Sequence, residues 1–132
     1  MECMFFECGN FNQDIGNWNV TNVTDMNYMF YCCENFNQDI GNWNISNVTR
    51  TRGMFESCSK FNKYIGNWDM TNVIIMNSMF SKSNEFNKYV KYWDIINSDG
   101  VTFIFPDNCD TLYLFKRHGP PVYNLEYRMF NI

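Results

Sequence analysis

Residues 26–50 read MNYMFYCCENFNQDIGNWNISNVTR, and residues 51–75 read TRGMFESCSKFNKYIGNWDMTNVII. Aligned without a gap, the two stretches share Met-Phe, Cys, Phe-Asn, Ile-Gly-Asn-Trp and Asn-Val at identical offsets. The period of 25 continues in both directions. Phe11, Phe36, Phe61 and Phe86 form one column, and Trp18, Trp43, Trp68 and Trp93, all the tryptophans of the chain, form another. A fixed period of this length marks an array in which each repeat buries its apolar face only against its neighbours, so the sequence predicts a solenoid.

Within one repeat, Met26, Met29, Phe30 and Cys33 stand at i, i+3, i+4 and i+7. That spacing predicts a short helix with one apolar face. Thr51, Met54, Phe55 and Cys58 repeat it, as do Met76, Met79, Phe80 and Ser83 and then Val101, Ile104 and Phe105, with Thr24, Thr49 and Asp99 placed as N-caps. An extended stretch follows, exemplified by residues 36–40, then a turn at Gly41-Asn42, a short apolar run 43–45 and a second turn at Ser46-Asn47. Stacked in parallel register, such strands would set equivalent residues about 4.8 Å apart and line up Phe, Ile and Trp as continuous ladders. Asn12, Asn37, Asn62 and Asn87, and again Asn22, Asn47, Asn72 and Asn97, recur as strictly as the aromatics. A side chain that both donates and accepts suits backbone groups left unpaired where a coil turns, so these are read as structural ladders.

The pattern Met-Phe-x-x-Cys-x-x-Phe at 29–36 and 54–61, followed by Trp-Asn-Ile-Ser-Asn-Val-Thr at 43–49, resembles the BspA-like leucine-rich repeats. It resembles more closely the related 25-residue repeat of unknown function found in bacterial surface lipoproteins and in large DNA viruses. The resemblance spans residue 1 to about residue 105. It implies a right-handed, leucine-rich-repeat-like α/β solenoid with a short helix and a short parallel strand in each coil. It also implies an association with adhesion or protein binding, and it brings no catalytic residues with it. Residues 1–105 are accordingly assigned to the solenoid and residues 106–132 to a C-terminal capping strand and hairpin. In that cap, residues 112–115 form a last strand and Tyr123, Leu125, Tyr127 and Met129 alternate with polar residues.

Hydrophobic residues at 45% and aromatics at 19% are ample for a packed core. No window reaches the roughly 18 uninterrupted apolar residues of a spanning helix. The start lacks the basic segment of a signal peptide, so an intracellular location, a host cytoplasm if the source is viral, is favoured over the cell surface. The net charge of −4 conceals an asymmetry: residues 1–49 hold six acids and no Lys or Arg, while the remainder carries ten basic and eight acidic side chains. That gives −6 and +2, a dipole along the stack that would orient a partner or favour head-to-tail contact. No basic stripe exists for nucleic acid. Cys8, Cys33 and Cys58 share one column between apolar neighbours and read as free core thiols, with disulfides as the alternative; Cys3, Cys32 and Cys109 have no evident mates.

Chemistry is scarce. The single histidine, His118, lies in a Pro/Gly loop, and no nucleophile, phosphate-binding or Cys-x-x-Cys motif occurs. Cys109 and His118 are two scattered ligands, short of a metal site. Asp14 and Asp39 stand one coil apart, but their column continues as Tyr64 and Tyr89, which favours a solvated face over a paired-carboxylate site. No cofactor and no catalytic residue is expected. The sequons opened by Asn19, Asn22, Asn44 and Asn47 follow from the repeat itself and are read as coincidental. The same face changes along the array, Gln13 and Gln38 becoming Lys63 and Lys88 while Asp14 and Asp39 become Tyr64 and Tyr89. These eight residues form the expected partner-binding face of a non-enzymatic module whose partner is another protein. The alternative expectation is a structural component of a larger assembly or virion. It would associate through an uncapped N-terminal end bearing Met1, Met4 and Phe5, with self-association or continuation as a longer array both open.

Overall fold

The computed structural model describes residues 1–86 and Trp93. The chain climbs as a stack of coils in register with the sequence repeat: coil 1 is 1–25, coil 2 is 26–50, coil 3 is 51–75, and coil 4 begins at 76. No helix and no strand occurs among the described residues. Two isolated parallel bridges, Asp25 to Arg50 and Arg50 to Ile75, mark one column where the coils run side by side. The expected α/β architecture, a helix and a parallel strand in every leucine-rich-repeat-like coil, is therefore overturned.

The reason lies in the backbone of the Met/Phe segment. Cys3 and Glu7, Tyr28 and Cys32, Gly53 and Ser57, and Ser78 and Lys82 all take left-handed conformations, with φ between 54° and 61°. A left-handed residue every fourth position interrupts any α-helix and makes a run of tight turns instead. In coil 2 the N–H groups of Met29, Tyr31 and Cys33 donate to carbonyls three residues back. That of Met26 donates to Arg50 at the far end of the coil, and those of Tyr28, Phe30 and Cys32 leave the coil and donate to Arg52, Met54 and Glu56, all at 2.8–2.9 Å. Coils 1 and 3 repeat this register against coils 2 and 4. A beat of four residues buries i, i+3, i+4 and i+7 much as a helix does, and Met26, Met29, Phe30 and Cys33 are indeed buried. Thr49 is no helix cap: its N–H and its hydroxyl both donate to the Thr24 carbonyl of the preceding coil.

The core is a set of aromatic ladders. Phe30 stacks on Phe36 within its coil at 4.1 Å between ring centroids, and on Phe55 of the next coil at 5.5 Å. Trp43, Trp68 and Trp93 lie parallel at 6.5 Å spacings. Both asparagine ladders run through the described coils, while Asn87 and Asn97 lie outside the described residues. Asn12 and Asn37 accept the N–H of Asn37 and Asn62, while Asn47 and Asn72 donate to the carbonyls of Thr21 and Ser46.

Two columns of side-chain donors stitch the coils together from inside. The indole N–H of Trp43, Trp68 and Trp93 donates to the carbonyl of Ile15, Ile40 and Ile65, in each case 28 residues earlier. The Sγ of Cys33 and Cys58 and the Oγ of Ser83 donate across the same interval to Phe5, Phe30 and Phe55. Each of these carbonyls also accepts an N–H three residues on in its own coil. Cys33 and Cys58 are thus buried free thiols, whereas Cys8, in the first coil, is exposed. Burial lifts the Cys33 thiol from an ordinary value near 9.0 to about 12 and lifts Cys58 further, so both remain protonated donors. Coil contact is close enough that a Cβ on Gly16 or Gly41 would meet the carbonyl oxygen of Asp39 or Tyr64 at 2.6 Å. The C-terminal hairpin, Asp99, Val101, Ile104, Phe105, Cys109 and His118 lie outside the described residues.

Two predictions come from this packing. Gly41→Ala is expected to destabilise the protein by about 1–3 kcal/mol through overpacking against backbone. Gly9→Ala, whose Cβ would meet nothing nearer than 3.8 Å, should be tolerated, and urea denaturation compares the two. The thiols fix a pH dependence. Their folded values lie above those of the unfolded chain, so their contribution is complete below about pH 9 and is lost as pH rises towards about 12. Denaturation midpoints should fall between about pH 8 and about pH 10, and fall less in Cys33→Ser/Cys58→Ser, which keeps the donor that Ser83 supplies in coil 4.

Candidate functional site

On the face formed by Gln13, Asp14, Gln38, Asp39, Lys63 and Tyr64, the first two coils are more structural than their sequence suggests. Asp14 Oδ1 accepts the N–H of Gly16 at 2.9 Å and Asp39 Oδ1 that of Gly41 at 3.0 Å, so both carboxylates close their own turns. Gln38 donates to the carbonyl and the side-chain oxygen of Asn12. Coil 3 differs. Tyr64 is 42% exposed, and its ring lies over Gly66, where an added Cβ would meet the phenol oxygen at 2.6 Å. Lys63 beside it is half-buried. Lys88 and Tyr89 lie outside the described residues.

The candidate association end is also redistributed. Met4 is 48% exposed, but Met1 and Phe5 pack against the core, with Phe5 stacked on Phe11 at 3.9 Å and on Phe30 at 5.6 Å. Exposed apolar surface in this coil comes instead from Met4, Phe6 and Trp18, the latter two 42% and 41% exposed.

A second face went unseen in the sequence. Phe6 stacks on Tyr31 at 4.7 Å with ring planes 10° apart, and meets Tyr28 edge to face. Tyr28 and Tyr31 are themselves edge to face at 5.9 Å, and the Arg52 guanidinium stands 5.9 Å from the centre of the Tyr28 ring. Tyr28 lies against the backbone of Gly53, where a Cβ would meet its ring at 2.6 Å. The phenol of Tyr31 is held above its ordinary value, first by the neighbouring Cys32 and then by Glu56, with Glu7 adding to it. Phe6 and Tyr31 share a column of the repeat and Tyr28 lies three residues before Tyr31, but the left-handed turns that bring the three rings together have no glycine to mark them in coils 1 and 2.

Among the described residues, no group of three or more His, Cys, Asp or Glu side chains is arranged to hold a metal ion, and no helix is long and apolar enough to cross a membrane. No curated protein and no solved structure matches the chain. A family model described as "Mycoplasma protein of unknown function, DUF285" matches residues 1–111. That span takes in all four copies of the 25-residue repeat, and the chain belongs to the DUF285 family.

Proposed function

We propose that this chain is a non-enzymatic repeat protein that mediates protein–protein interaction through an exposed face of its coil stack. The observation that carries the reading is the change at coil 3. The same backbone that in coils 1 and 2 spends its carboxylates on its own turns presents at Lys63 and Tyr64 a cation beside an exposed aromatic ring. Tyr beside a cation is a composition favoured at contact surfaces, and variation over an invariant core is how repeat arrays acquire partners. The resemblance of the repeat to BspA-like repeats, associated with adhesion and protein binding, supports the same reading. In affinity capture from a native extract, Lys63→Glu/Tyr64→Ser is expected to lose a stoichiometric partner that the wild-type chain retains. Retention of every partner by the variant would remove this face from the reading.

One observation favours the alternative, a structural component of a larger assembly that associates through the N-terminal end. Met4, Phe6 and Trp18, three of the five large apolar side chains most exposed among the described residues, all belong to coil 1. Exposed apolar surface of this kind marks contact sites. On this reading sedimentation of the wild-type chain shows concentration-dependent association that Met4→Gln/Trp18→Gln abolishes, and a concentration-independent monomer would dismiss it.

A further inference from the structure

We propose that the aromatic surface made by Phe6, Tyr28 and Tyr31 binds an arginine-containing basic segment of a protein partner, seating guanidinium groups on its ring faces. The inference rests on the reading of the chain as an interaction module but uses a different face from Lys63 and Tyr64.

Four observations lead to it. The rings form one continuous contact from coil 1 to coil 2, and Phe6 at its margin is 42% exposed. One ring already takes a guanidinium, since Arg52 stands over Tyr28. A ring face with a cation within about 6 Å is the cation–π arrangement, for which Arg is the commoner partner. The charge around the rings is negative on balance: against the one cation on Tyr28, Arg52, stand Glu2 and Glu7, exposed in coil 1, and Glu56 near Tyr31, and residues 1–49 contain no basic side chain. Such a field attracts a basic segment and repels an acidic one. Lastly, the Tyr28 side chain is kept at a cost. Tyr28 holds φ at 54°, a region that disfavours bulky residues, whereas the equivalent position of coil 3 is Gly53. Glycine would relieve that strain, so the ring is retained against local backbone preference.

The four coils provide their own conservative replacements. The column of Phe6 and Tyr31 carries Glu56 and Ser81 in later coils, and that of Tyr28 carries Gly53 and Ser78. Phe6→Ser/Tyr28→Gly therefore removes two rings with residues the scaffold already accommodates at those positions, and a cooperative thermal transition verifies that the variant is folded. A second variant, Tyr31→Ser, serves if the first does not fold. The probe is a synthetic Arg-Gly repeat peptide titrated into the full chain at low salt by calorimetry, beside a Glu-Gly peptide of equal length. The expected result is saturable binding of the Arg-Gly peptide alone, weakened about tenfold or more in the ring variants and left within twofold in Lys63→Glu/Tyr64→Ser. Binding to wild type that the ring variants keep in full, or equal binding of the Glu-Gly peptide, or no saturable binding of the Arg-Gly peptide, would overturn the proposal. Because the two faces are probed by separate variants, loss at one leaves the other face standing or falling on its own result.

Discussion

A carbonyl oxygen with two lone pairs is the hinge of this architecture. At Phe30 one pair accepts the N–H of Cys33 in the same coil, and the other accepts the Sγ of Cys58 in the next. At Ile40 the same division holds between the N–H of Trp43 and the indole N–H of Trp68. An interior without regular helix or sheet would ordinarily carry unsatisfied backbone, a large penalty in a dry core. Here the first bond shapes the turn and the second fixes the distance and register of the following coil. The column of Cys33, Cys58 and Ser83 has to be a small donor, the column of Trp43, Trp68 and Trp93 a long flat one, and Gly16 and Gly41 have to lack a Cβ. Change in any of these columns acts on the stacking of two coils at once.

That constraint explains which parts of the fold the sequence discloses. The period, the aromatic ladders and the asparagine ladders are all visible because each is a repetition at 25 residues, and stacking in register is what makes the repetition necessary. The local conformation is not visible. Burial of Met26, Met29, Phe30 and Cys33 answers equally to a helix of 3.6 residues per turn and to a chain of turns with a beat of four. Over a segment this short the two cannot be told apart by spacing. The distinguishing fact is the left-handed backbone at Tyr28 and Cys32, which glycine would announce but which only Gly53 does announce. At the other seven positions of the two columns Cys, Glu, Tyr, Ser and Lys hold that conformation, so the usual marker is missing. The short extended runs mislead for a related reason: alternation of apolar and polar residues is present, but coil-to-coil bonding there passes through asparagine side chains.

The surface shows the same division. Asp14 and Asp39 look like free carboxylates in the sequence because nothing local shows that their partners are the N–H groups two residues on. The cysteine column is legible as a packing column, but its role as a donor appears only when the facing carbonyl does. The aromatic face of Phe6, Tyr28 and Tyr31 is hidden for a geometric reason. Phe6 and Tyr31 share one column of the repeat but Tyr28 belongs to another, so no column of the alignment contains all three, and only the turn path puts them on one edge.

Stability and recognition are consequently separated by position within each coil. The inward columns are nearly invariant because every one of them meets a coil above and a coil below, and an array with nearest-neighbour energetics propagates a defect to both. The outward left-handed columns do the opposite. Across four coils one of them reads Cys3, Tyr28, Gly53, Ser78, and the next reads Glu7, Cys32, Ser57, Lys82. In the first three coils their N–H groups bind the neighbouring coil, and those bonds are indifferent to the side chain attached. A position whose structural duty is discharged entirely by its backbone leaves its side chain free to differ, as Tyr28 does from Cys3, Gly53 and Ser78, and the column beside it changes likewise from Phe6 and Tyr31 to Glu56 and Ser81.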